Sequence, residues 1–240
     1  MPGPPRHRPY PPCALLLGLA SCATPTTDRG DHADAQRRLA ARCDALVAAA
    51  PGDWPVAVPA VLDGGPAAAG PLAQALRRRP DGAGAEAALA VLGRLGGDVA
   101  RELLLERVAD RTPLAPAAAL ALADCGADAD RPVLRAVAAD RLADPTLRAA
   151  VAHTLLRLGD RAEVRELVRA IALADTPAGR PLQDRLGLPH KTRWAYERYL
   201  LITALRAVAN GDFGLDTDAS WPMLEQAAAR VDEWLQRAPR

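Results

Sequence analysis

Three apolar stretches end alike: Ala87 to Asp98 (AALAVLGRLGGD), Ala118 to Asp128 (AALALADCGAD) and Val151 to Asp160 (VAHTLLRLGD) each run into a Leu-Gly or Cys-Gly step and then an aspartate. Their glycines, Gly96, Gly126 and Gly159, recur in steps of 30 and 33 residues. That period belongs to helical hairpins set side by side, because a lone hairpin cannot bury its apolar stripe and needs a neighbour to cover it. Within the last of the three units Leu147, Val151, Thr154, Leu155 and Leu158 share one helical stripe, and Val164, Leu167, Val168 and Ile171 stripe the helix that follows. Gly159 supplies the left-handed position between them. Asp144-Pro145 reads as a cap followed by a proline in the first helical position, and Thr112-Pro113 reads the same way one unit earlier.

The pattern extends in both directions. Trp54 to Asp63 and Pro66 to Arg79 read as a first helix pair, preceded by a helix from Asp34 to Ala50 striped by Leu39, Cys43, Leu46, Val47 and Ala50. After a Pro- and Gly-marked loop from Asp175 to His190, one helix carries Trp194, Leu201, Leu205 and Val208, and a last one carries Leu224, Ala228, Val231 and Leu235. Composition agrees: 54 alanines and 35 leucines favour helix, while aromatic residues make up only 3% of the chain. The expected fold is all-α, an α-solenoid of about four or five stacked hairpins over residues 34–237, clearest at 83–176, with a capping element at 191–237. A formal charge of +1, from 30 basic and 29 acidic residues, points to no nucleic-acid partner.

The first 33 residues are different. Arg6 and Arg8 precede an apolar run of about eight residues, Cys13 to Ala20, which leads into Ser21 and Cys22. A basic start, a short apolar core and small residues before a cut make a signal peptide over residues 1–21, and the run is far below the ~20 residues of a stable transmembrane helix. Leu19-Ala20-Ser21-Cys22 resembles the lipobox of bacterial lipoproteins, which implies that Cys22 receives lipid and becomes the mature N-terminus. Residues 22–33 are then expected to be a polar tether to a membrane. Cleavage after Ala23 to release a soluble exported protein, and a chance apolar stretch on a cytosolic protein, are the competing readings of the same residues.

Asp144-Pro-x-Leu-Arg148-x-Ala-Val-Ala-x-x-Leu-Leu-x-Leu-Gly159-Asp160 resembles the short bacterial HEAT repeats named for phycobilisome lyases. Arg148 stands where that family has its usual arginine, but the corresponding places one and two units earlier are Ala115 and Ala85, so the family's Asp/Arg ladder is expected to be mostly absent. Arg198 to Leu205, Gly211 to Asp216 and Arg230 to Trp234 resemble the ending of many HEAT-repeat proteins of high-GC bacteria.

Residues with chemistry in them have simpler readings. Gly82-Ala-Gly84-Ala-Glu-Ala87 spells a dinucleotide fingerprint without the strand that would give it meaning, so it is read as a helix start. Asp216-Thr-Asp218-Ala-Ser220 begins like a calcium loop but has Trp221 and Ala227 at positions six and twelve, which leaves an Asx turn. Asp31, His32 and Asp34 are too few for a metal site. Cys43 and Cys125 lie on apolar stripes, His153 is expected to face solvent, and Ser220 sits in no nucleophile elbow. Arg37, Arg38 and Arg77 to Arg79 read as solvated helix ends. No catalytic residue, metal, cofactor or small-molecule substrate is therefore expected.

Trp54, Trp194 and Tyr196 are the candidate contacts for a protein partner. The expected function is a non-catalytic interaction scaffold, exported and anchored at the cell envelope through Cys22. The alternatives are an intracellular HEAT-like enzyme, resembling bilin lyases or DNA glycosylases, and a purely structural envelope protein.

Overall fold

The computed structural model describes residues 29–190, 194–209, 211 and 213–237, so the proposed leader and Cys22 lie outside the described residues. The described chain is all-helical, without strands. Its α-helices are α1 (Arg29–Ala48), α2 (Trp54–Leu62), α3 (Ala69–Arg78), α4 (Ala85–Leu95), α5 (Asp98–Ala109), α6 (Ala115–Cys125), α7 (Arg131–Ala139), α8 (Pro145–Arg157), α9 (Arg161–Ala172), α10 (Arg180–Leu186), α11 (Ala195–Ala209) and α12 (Trp221–Arg237).

Contacts arrange the helices in two rows. In one, α2 touches α4, α4 touches α6, α6 touches α8 and α8 touches α11. In the other, α3 touches α5, α5 touches α7, α7 touches α9 and α9 touches α12. The rows meet along a continuous core of small and medium aliphatic side chains, from Leu46 and Val47 at one end to Val231 and Leu235 at the other. Helix α1 lies across the end of both rows, against α2, α3 and α4. Cys43, Leu46 and Val47 are buried there, whereas Asp31 to Ala33 and Ala35 to Arg38 are exposed.

The ends of α8 follow local chemistry. Asp144 Oδ1 accepts the amides of Thr146 (2.8 Å) and Leu147 (3.2 Å), with Pro145 in the first turn, as its residue types demand. Gly159 ends the unit at φ 81°. Three expectations are corrected. Thr112-Pro113 does not open α6, which starts at Ala115 behind a turn closed by Ala115 N–H donating to Thr112 O, with Pro116 in its first turn. The 175–190 loop contains α10, begun by Pro181 and stopped by Gly187 at φ 64°. The first five residues of α1, Arg29 to Ala33, belong to a helix instead of the tether.

Helix α8 is the middle of the molecule. Every residue from Leu147 to Leu156 is buried, including Arg148, His153 and Thr154, because α6, α7, α9 and α11 all pack on it. His153, expected at the surface, is 7% exposed, and its Nδ1 lies 3.0 Å from the Leu200 carbonyl of α11. Burial lowers its pKa below the ordinary 6.5; the Leu200 bond and Asp124 oppose that shift, and Arg157 adds to it. The unfolded chain takes up this proton near pH 6.5 and the folded one only lower. The neutral imidazole thus contributes its full stability above about pH 6.5 and loses it as pH falls toward the folded value. Urea titrations between pH 7.5 and 5.5 are expected to show a steeper loss for wild type than for His153→Gln; parallel curves would contradict it.

Candidate interaction groove

The exposed side of the first row holds an open groove of about 520 Å³ across α2, α4 and α6. Trp54 and Val58 from α2, Ala87, Ala90 and Val91 from α4, and Ala117, Leu120 and Ala121 from α6 line it, with Glu86, Arg94 and Asp124 among its charged residues. Alanines make much of its floor, and Gly93 shows how close the two helices lie: a Cβ on it would meet the Ala121 carbonyl at 2.5 Å. Small residues leave room for the large side chains of something else.

Trp54 is held in place by the end of α1, since its indole N–H donates to Ala49 O at 3.2 Å. Its polar atom is thereby satisfied inside the chain, and the apolar ring is what lines the groove. Glu86, Ala90 and Arg94 follow one another at four-residue spacing, so they stand in line along α4. Asp124 pairs with Arg157 at 3.2 Å. Among the described residues Glu86 and Arg94 have no ion-pair partner.

Tyr196, on α11, is 51% exposed. Its phenol is pushed above the usual value, first by partial burial and next by the carboxylate of Glu86. Trp194 is a different case and a correction: it is wholly buried, its carbonyl accepts the Arg198 amide at the start of α11, and it offers nothing to a partner. Of the three aromatic candidates, Trp54 lines the groove, Tyr196 is half exposed on α11 outside the groove's lining, and Trp194 belongs to the core.

The other residues singled out in the sequence find structural roles. Cys43 and Cys125 are free thiols, both raised to about 11 by burial and, secondarily, by neighbouring aspartates. Gly84 ends the turn before α4, and the Asp218 amide donates to Asp216 Oδ1 at 3.2 Å in an Asx turn. Arg78 pairs with Asp44 at 2.8 Å and Arg77 approaches Glu106 at 3.7 Å. Among the described residues no group of three or more His, Cys, Asp or Glu side chains is placed to hold a metal, and no helix is long and apolar enough to cross a membrane.

Sequence reasoning picked out Arg148 by resemblance but missed the other arginines that tie neighbouring helices together. Arg198 stands at the fourth position of α11, as Arg148 does in α8, and each is buried against carbonyls of the preceding hairpin. Along the second row Arg101 reaches Asp130 (3.5 Å), Arg135 reaches Asp160 (2.5 Å) and Arg165 reaches Asp232 (2.7 Å). A ladder exists, in a register the repeat alignment did not reveal. Comparison with protein-family models, curated proteins and solved structures gives no match.

Proposed function

We propose that the chain is a HEAT-like α-solenoid that acts as a non-catalytic interaction scaffold, held at a bacterial cell envelope by lipid on Cys22. The observation that carries the reading is the groove on the first row, largely apolar, floored by alanines and edged by Glu86 and Arg94, which have no ion-pair partner among the described residues; an apolar patch with a charged rim supports binding to another protein. Two rows of successive helix pairs, each row touching its next member, support the solenoid. The anchor rests on Leu19 to Cys22, and the exposed stretches of α1, Asp31 to Ala33 and Ala35 to Arg38, would stand the packed body away from the membrane. Intact mass and membrane fractionation of the natively expressed protein beside Cys22→Ala test it. Loss of residues 1–21, gain of two or three acyl chains, and release of the variant from the pellet are expected. An unmodified wild type in the soluble fraction would overturn the anchor.

A further inference from the structure

We infer that the groove across α2, α4 and α6 receives an amphipathic α-helix of a partner protein, with a basic side chain over Glu86 and an acidic one over Arg94. The inference rests on the scaffold reading and gives its partner a chemistry.

Three observations combine. The lining is apolar and small where α4 and α6 meet, at Ala87, Ala90, Ala117 and Ala121, and larger at Trp54 and Leu120, so leucine-sized knobs from an incoming helix have holes to enter. Trp54 is fixed by its bond to Ala49 and needs no side-chain ordering on binding. Glu86 and Arg94 stand eight residues apart on α4, about 12 Å at 1.5 Å per residue, with opposite signs and no ion-pair partner among the described residues. A helix lying along α4 satisfies both with one basic and one acidic residue seven or eight positions apart. Asp124 is engaged by Arg157 and asks for nothing further.

Charge also decides against this chain's own apolar run as the occupant. Cys13 to Ala20 supplies leucines, and Arg6 and Arg8 supply the base, but residues 1–27 contain no acid to meet Arg94.

The probes are fluorescently labelled synthetic 18-residue helices with leucines at i, i+4, i+7 and i+11. Their flanking edge carries Lys and Glu eight residues apart, Lys twice, or Glu twice. A fourth peptide copies residues 6–20. Anisotropy titrations use the full chain, with variants checked for unchanged melting. The Lys/Glu peptide is expected to bind wild type at least threefold more tightly than either like-charged twin. Arg94→Glu is expected to transfer that preference to the Lys/Lys peptide, and Trp54→Ala to weaken all three at least fivefold. Because reversing the helix direction exchanges the two ends, the like-charged twins carry the discrimination. Absence of saturable binding to wild type, an unchanged preference in Arg94→Glu, or tighter binding of the 6–20 peptide would each overturn the inference. A lipid-modified protein that ignores every probe removes the groove inference and leaves the anchor standing; an unmodified protein that binds the Lys/Glu peptide keeps the groove and removes the anchor.

Discussion

Gly84→Ala will loosen helix α1 from the rest of the molecule, with a fall in stability of about 2–3 kcal/mol. A Cβ at this position would lie 1.9 Å from the Leu46 carbonyl oxygen and 3.1 Å from that of Ala49, so the obstacle is backbone and cannot rotate away. The Gly84 amide donates to Val47 O at 3.0 Å, and this bond pins the last turn of α1 to the turn before α4. Backbone preference is not involved, because φ −97° and ψ 8° suit alanine. Either the bond opens or α1 shifts, and α1 holds on through few fully buried side chains: Cys43, Leu46 and Val47. Gly70→Ala is the control, since no atom lies within 4 Å of its Cβ and it sits in helix α3. Alanine there should be neutral or stabilise by up to about 1 kcal/mol. Urea midpoints will rank the two variants, and hydrogen exchange will show the Gly84 loss concentrated in α1 amides. Equal midpoints for both would mean that α1 does not dock where Gly84 lies.

Helix positions were legible where one face is buried and one is wet. The stripe of α9, Val164, Leu167, Val168 and Ile171, came straight from spacing, and all four residues are buried. Periodicity fails in α8 for the opposite reason: a helix covered on every side has no polar face to contrast, so His153 reads as a surface residue when it is core. Helix α10, seven residues long, carries too little period to register, although Pro181 at its start and Gly187 after its end were visible. The arginine ladder was hidden by the short 3-10 turn Asp128–Asp130: it moves the buried aspartate to Asp130, two places beyond the repeat's Gly-x-Asp alignment.

The groove was less legible than the fold. Trp54 stood out by residue type alone. Glu86 and Arg94 matter only because α2 and α6 flank α4 in space, and no single-helix pattern announces that. Trp194 shows the converse error, for an aromatic residue just outside a helix is as often a wedge between elements as a contact for a partner.

Arg198→Met will cost about 3 kcal/mol, and Arg148→Met distinctly less, although the two arginines occupy the same place on α11 and α8. Arg198 donates to Ala174 O (2.8 Å), Thr217 O (3.2 Å) and Asp175 Oδ2 (3.1 Å), joining the end of α9, the turn before α12 and the start of α11. Methionine fills most of the volume but leaves two carbonyls and a three-quarters buried carboxylate without their donor, and a partly buried charge stripped of its mate is the expensive outcome. Arg148 is buried to 1% exposure and donates to Ala138 O (3.0 Å) and Leu186 O (2.7 Å), with no carboxylate in contact. Its own desolvation, which lowers its pKa, opposes those two bonds. Removing it orphans two neutral acceptors and relieves one buried charge, so a cost of about 1 kcal/mol is expected. In a domain of this size the difference of about 2 kcal/mol corresponds to roughly 4–8 °C in Tm between the variants. Asp175→Asn, made alone and with Arg198→Met, closes the cycle. If the carboxylate is what makes Arg198 costly to remove, the double variant will recover part of the Arg198→Met loss. Additive losses would place the whole effect in the carbonyl bonds instead.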